Sequence, residues 1–319
     1  MESKKVYVGV DVSKQQLEVA LRPQPEQWSQ ANEAAAVQRL VKRLKELNCE
    51  RIVVEATGGY ETLLVAALWA AGLPVVVVNP RWVRAFAKSL GQLAKTDAID
   101  ARVLALYAER AELKVRELPS DEVCQLRAVC ARREDLLEML TAEHNRLEHA
   151  QGPVRREIKR HIEYLRKQLK RLDHDIDRTV RGSGLWRQVD QLLDSVPGVG
   201  PVLRASLLAW LPELGQLNRE QIAKLVGVAP LNQDSGQFRG LRRIAGGRAP
   251  LRKVLYMATF AAMRHNPYLR GYYDHLRKQG KVHKVALVAT MRKLLLILNA
   301  IVKTNTPWRT LSCLHPANS

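Results

Sequence analysis

The chain has 319 residues, enough for two or three domains, and its apolar fraction of 46% is high enough to build buried cores and to exclude global disorder. Aromatic residues are only 5%, with three phenylalanines, which argues against a base-stacking platform of the RRM kind. The formal net charge is +19 and is unevenly placed: residues 182–319 hold 20 Lys/Arg against 6 Asp/Glu, whereas residues 1–120 hold 17 against 14. A local excess of this size attracts a polyanion such as DNA or RNA. The longest unbroken apolar run, Leu63–Ala71, is too short to cross a bilayer, and Met1-Glu-Ser-Lys-Lys leads directly into a strand pattern. Cys49, Cys124, Cys130 and Cys313 form no CxxC pair, which argues against a disulfide framework or a zinc site. These features predict a soluble cytoplasmic protein with no membrane partner.

Residues 5–21 alternate apolar and polar positions on both sides of Asp11-Val-Ser-Lys, predicting a two-stranded hairpin. Helical spacing follows over 33–47, then a strand at Arg51–Glu55, a helix at Glu61–Ala71 and a buried strand at Pro74–Val78. A helical stretch over about 81–111 reads as two helices meeting near Lys95. Alternation of this kind predicts an α/β domain with a mixed sheet over about 1–115.

Over about 116–182 the pattern changes to apolar 3–4 steps. One seam runs from Val123 to Leu147 and a second from Ile158 to Ile176, with Gly152-Pro153 breaking them. Two such helices make a helical coiled-coil arm suited to subunit pairing, although Arg133 and His144 weaken the first seam. The remainder, about 183–319, reads as a mostly helical basic domain. Within it, Ser235–Pro250 contains no acidic residue but four glycines and Arg239, Arg242, Arg243 and Arg248, any of which can contact phosphate or fold the loop.

Asp11 and Glu55 end predicted strands, and Asp97 and Asp100 share one face of a predicted helix. Converging there, four carboxylates would hold two Mg²⁺ or Mn²⁺ ions, which favour hard oxygen ligands and support phosphodiester displacement. Each is also explicable singly, as a turn residue, a helix cap or a surface group. Their order along the chain resembles the ribonuclease H and RuvC fold. The Pro197-Gly198-Val199-Gly200 turn matches a helix–hairpin–helix pattern that points backbone N–H groups at phosphate, while a plain helix stop remains the alternative. Ser235, in Asp234-Ser235-Gly236, is a candidate nucleophile in what is also a common turn sequence.

Together, VGVDVSK, VVEATGGY, KTDAIDAR, SVPGVG, ASLLAWL, and DSG followed by LRKVLYMA resemble the insertion-sequence 110 family of DEDD transposases along essentially the whole chain. The resemblance implies a RuvC-like N-terminal domain, a coiled-coil arm and a transposase domain carrying a catalytic serine. Carried over residue by residue, the metal-binding tetrad is Asp11, Glu55, Asp97 and Asp100, and the nucleophile is Ser235. It further implies a Mg²⁺-dependent recombinase, guided by a structured non-coding bridge RNA to target and donor DNA. A phosphoserine intermediate, a Holliday junction and a homo-oligomer, dimer or tetramer, belong to the same expectation, with the protein at the bacterial nucleoid. Two other readings stay open: a RuvC-like Holliday-junction endonuclease without a serine intermediate, and a basic scaffold whose carboxylates are structural.

Overall fold

The computed structural model describes residues 5–92, 96–113, 120–231, 234–235, 238–239 and 242–308, with backbone alone at 234–235 and 238–239. The chain divides into two compact units, Met1–Leu118 and Pro119–Ser319. In the first, strands β1 (Val6–Val12), β2 (Gln16–Arg22), β3 (Gln27–Ala31), β4 (Cys49–Glu55) and β5 (Val75–Val78) form one sheet in the order β3-β2-β1-β4-β5. The first three strands pair antiparallel, and β1–β4 and β4–β5 pair parallel. This is the mixed-sheet arrangement of ribonuclease H-like folds. The edge strand β3 was not foreseen: Gln27-Trp-Ser-Gln-Ala31 shows no apolar alternation because neither of its faces is fully buried.

Alternation along the strands assigns the two faces. Val8 and Val10 of β1, with Ile52 and Val54 of β4, pack under helices α1 (Ala34–Glu46) and α2 (Thr62–Ala70). Val53 and Val78 pack on the opposite face with Val83 of α3 (Pro80–Ser89) and Leu104 and Ala108 of α4 (Asp97–Arg110). The start of α4 is set by Thr96, whose hydroxyl accepts from the Ile99 N–H at 3.3 Å, so Asp97 is a first-turn residue rather than the cap. The join expected near Lys95 lies outside the described residues.

In the second unit, α5 (Asp121–His149) and α6 (Gly152–Gly182) fold back on each other. Arg133 reaches Asp173 at 2.6 Å, Arg166 reaches His144 at 3.1 Å, and Ser183 reaches Glu122 at 3.3 Å, so the two helices run antiparallel. The two residues that weaken the seam therefore find partners within the hairpin itself. In its distal half burial moves one position back from the expected seam, to Leu136 and Glu143, the latter held by Arg146 and His161. At its base Leu126, Cys130, Ile176 and Val180 pack against Trp186, Ala205 and Ala209.

Helices α7 (Arg187–Asp194), α8 (Pro201–Trp210), α9 (Arg219–Val226), α10 (Ala249–His265), α11 (Pro267–Lys278) and α12 (His283–Thr304) enclose a core that includes Leu193, Leu203, Leu255 and Leu298. By length and composition α12 is apolar enough to cross a membrane, yet Leu287, Met291, Leu294 and Leu298 are buried in the unit. Arg204 of α8 is 2% exposed and is held by Asp190 at 2.7 Å, by Asp177 of α6 at 3.4 Å and by Asp194. A buried guanidinium needs such partners, and here they tie the hairpin base to α7 and α8.

Candidate active site

Asp11 and Glu55 stand one step beyond the Val10–Val54 pair of the parallel β1–β4 ladder, on the sheet face covered by α4. Three contacts fix the course of α4 over that face. Arg51, near the start of β4, donates to the Ala108 and Ala111 carbonyls at 2.8 and 2.7 Å, and Arg22 of β2 pairs with Glu109 at 2.6 Å. Midway, a Cβ on Gly9 would lie 2.2 Å from the Ala105 N and 2.3 Å from the Ala101 O. The helix thus runs antiparallel to β1 in van der Waals contact with it, and its first turn, with Asp97 and Asp100, lies toward the strand ends that carry Asp11 and Glu55. Asp97 is exposed and Asp100 half-buried.

A further carboxylate of this end was missed by sequence reasoning. Glu18 of β2 is the direct partner of Asp11 across the antiparallel ladder, and it shares the α4 face with Ala20. The signal was in the hairpin register, which fixes which residue opposes Asp11. Like charges on neighbouring strands repel, and a divalent cation bound among them would relieve that repulsion. The donor set, carboxylate oxygens alone, suits a hard divalent ion in kind. Among the described residues, no three Asp, Glu, His or Cys side chains gather closely enough to form a ready-made metal cluster.

The loops that follow the two strands are clamped together. Asn32 donates through Nδ2 to the Ser13 carbonyl at 3.0 Å and to the Tyr60 carbonyl at 3.1 Å, joining the turn after Asp11 to the loop after Glu55. Within that loop, the Glu61 carboxylate accepts from the Thr57 and Gly59 N–H groups, so the Thr-Gly-Gly-Tyr segment is held by its own chain.

Ser235 belongs to the other compact unit, in a nested hairpin rather than an open loop. Strand β6 (Pro230–Leu231) pairs antiparallel with β9 (Arg243–Ile244), and β7 (Asp234–Ser235) with β8 (Phe238–Arg239). The backbone of Ser235 is paired with Phe238, and the side chains of Ser235 and Arg239 lie outside the described residues. The foot of the hairpin is pinned. Gly247, at φ +68°, approaches so closely that a Cβ would lie 2.3 Å from the Gly227 N. Arg248 is engaged by Glu213 through two bonds of 2.6 and 2.7 Å, which commits that guanidinium to folding the hairpin. Arg242 and Arg243 are exposed.

In the Pro197–Gly200 turn, Gly198 has φ +85°, and a Cβ there would lie 2.4 Å from the Ala262 Cα of α10. This glycine serves helix packing, whereas Gly200, just before α8, faces open space, and Pro197 is exposed. Sequence spacing alone does not separate these two uses of one motif.

Residues 8–150 match a family model described as a transposase of the IS110 DEDD type, and residues 190–274 match one described as the transposase IS116/IS110/IS902 family. The pilin gene-inverting protein of Moraxella lacunata is 29% identical over 263 residues, covering 81% of each chain. The uncharacterized 44.8 kDa protein of insertion element IS116 from Streptomyces clavuligerus is 27% identical over 347 residues, covering 85% of this chain and 87% of its own. Among solved structures, Thermus thermophilus RuvC in complex with a Holliday junction substrate aligns with 33% of this chain and 95% of its own, at 17% identity and a TM-score of 0.26. With both family models placed in order along it and relatives matched over four-fifths of its length, the chain belongs to the IS110 family of transposases.

Proposed function

We propose that this transposase is a site-specific DNA recombinase of an insertion sequence. In this reading it cuts and rejoins strands with the carboxylates of Asp11, Glu55, Asp97 and Asp100 and the hydroxyl of Ser235. The observation that carries it is the antiparallel course of α4 over Gly9, which brings the start of that helix toward the ends of β1 and β4. The Ser235 Oγ attacks a backbone phosphorus: an O–P bond forms, a P–O bond of the DNA breaks, and the cut strand leaves as a hydroxyl. A hydroxyl of another strand then attacks the phosphoserine, and Ser235 recovers its proton. Bond energy is conserved through both steps, so no cofactor supplies energy.

The four carboxylates would hold Mg²⁺ or Mn²⁺. Such ions, when bound, stabilise charge on the attacking and leaving oxygens. A composite site, with the tetrad of one subunit and the serine of another in a dimer or tetramer, is what the family resemblance implies and is part of this reading. The basic second unit would track phosphate, with Gly200, Arg242 and Arg243 as contacts, and the choice of target and donor DNA would be delegated to a structured non-coding guide RNA. The protein would then act at the bacterial nucleoid.

Cleavage of element-end DNA by Asp100→Asn and by Ser235→Ala tests the chemistry. Loss in both variants is expected. Junction cleavage untouched by the serine change would favour a water-using nuclease instead. Sequencing the RNA that copurifies with the protein tests the guide: one discrete species encoded beside the gene is expected, and heterogeneous cellular RNA would contradict it.

A further inference from the structure

Aromatic residues are sparse overall, but Phe and Tyr are concentrated along one stretch. Five of the eleven Phe and Tyr residues fall between Tyr256 and Tyr273. Three helices bring their rings together: Phe260 of α10 lies 6.1 Å from the His283 ring of α12, and the Tyr273 ring of α11 lies 5.8 Å from it. Tyr273 also bonds His283 through its hydroxyl at 2.5 Å, and Tyr256 meets Phe260 edge-on at 5.4 Å. Around His283, itself exposed, Val282 is 63% and Val285 51% exposed. With His283 exposed and Phe260 and Tyr273 half-buried, these rings and the bare valines form an apolar surface of the kind that marks binding sites.

Cations border the same surface. From Arg264 to Lys284 there are six Lys/Arg and a single acidic residue, Asp274, which is already paired with Arg270 at 3.1 Å. Lys278, Lys281 and Lys284 are exposed, on the end of α11, the following turn and the start of α12. Duplex DNA presents phosphates but hides its bases, so it leaves the apolar centre of this surface without a partner. An unpaired strand satisfies both parts, its bases on the rings and its phosphates on the lysines. Once a strand has been cut for exchange, it can separate from its complement, which supplies single-stranded DNA near the protein. The face is also close to the serine hairpin along the chain: Tyr256 lies two turns, about 12 Å, along α10 from Arg248 at its foot.

We infer that the α10–α12 face is a docking surface for an unpaired DNA strand, with Phe260, Tyr273 and His283 stacking bases and Lys278, Lys281 and Lys284 holding phosphates. The inference rests on DNA as the substrate of the family and not on the role of Ser235, so its failure would leave the chemistry proposed above standing.

Fluorescence anisotropy on the full chain tests it, using a labelled single strand of about 20 nucleotides, the same sequence as a duplex and the same sequence as RNA. The variant Val282→Ser/His283→Ala also removes the bond from His283 to Tyr273, so its melting temperature should fall by about 2–4 °C at most, with the helical circular dichroism of the parent retained. Its affinity for single-stranded DNA should fall about five-fold or more, with less than about a two-fold change for duplex. The variant Lys278→Gln/Lys281→Gln/Lys284→Gln should weaken single-strand binding and reduce the slope of log affinity against log salt by about 2. Equal losses on single strand and duplex would overturn the stacking role. A loss confined to the RNA would overturn DNA as the occupant.

Discussion

The carboxylate end of the first unit and the serine hairpin of the second are held by different means. Asp11 and Glu55 extend strands whose preceding residues, Val10 and Val54, are fully buried, and α4 lies on those strands at backbone contact through Gly9. Their placement is a consequence of the core itself. Ser235 belongs to one of two short ladders, positioned by a glycine contact and an Arg248–Glu213 pair at the foot. A site built from the core is lost when the fold is lost, whereas a site built on clamps can be misplaced while the fold survives.

Gly9→Val probes the first half of that contrast and carries the largest expected effect. Its Cβ would fall on the Ala101 and Ala105 backbone, which cannot yield like a flexible side chain. Overpacking of this kind should cost about 3 kcal/mol or more, read by urea unfolding, and DNA cleavage should vanish with it as α4 lifts. Stability and cleavage preserved together would break the account of the carboxylate end.

Arg248→Met probes the second half. Removing two charge-assisted bonds at a half-buried pair should cost about 1.5–3 kcal/mol, less than the glycine change. Strand transfer should fall by a larger factor than that destabilisation explains, with DNA binding retained. A parallel loss of stability and activity would mean that the hairpin is no more separable from its core than the carboxylates are.

The smallest effect concerns two thiols, one in each unit. Burial pushes Cys49 and Cys130 up to about 11 from an ordinary 9.0, so both are protonated at neutral pH. The unfolded chain loses these protons first as pH rises, so the thiols' contribution to stability should be flat below pH 9 and decline between 9 and 11. Urea midpoints across that range check the sign. Alkylation mapped by mass spectrometry should find the exposed Cys124 modified well before either buried thiol.

Much of the first unit is legible in its sequence because its signals are local. The hairpin around Asp11, the helices at 34–46 and 62–70 and the valine strands all show in alternation or 3–4 spacing. Strand β3 does not, since a polar edge strand exists through its pairing with β2 rather than its own pattern. In the second unit the decisive features are pairings between distant segments. Gly198 reads as part of a phosphate-binding turn or of a plain helix stop, and its close packing on Ala262, 64 residues later, shows in neither reading. Arg248 reads as either a phosphate contact or a loop-folding residue, and only the distant Glu213 shows it engaged in folding, while Arg204 sits in an apolar helix whose periodicity hides three carboxylate partners. The aromatic cluster escapes for the same reason: a composition average of 5% says nothing about three helices converging.

The central claim, that Ser235 and the carboxylates act in one strand-transfer reaction, is tested most directly by trapping protein on cleaved element-end DNA and locating the linkage by mass spectrometry. The account predicts a phosphoserine at position 235 in the parent protein and no adduct in Ser235→Ala or Asp11→Asn. An adduct that persists in Ser235→Ala, or that maps to another residue, would contradict it.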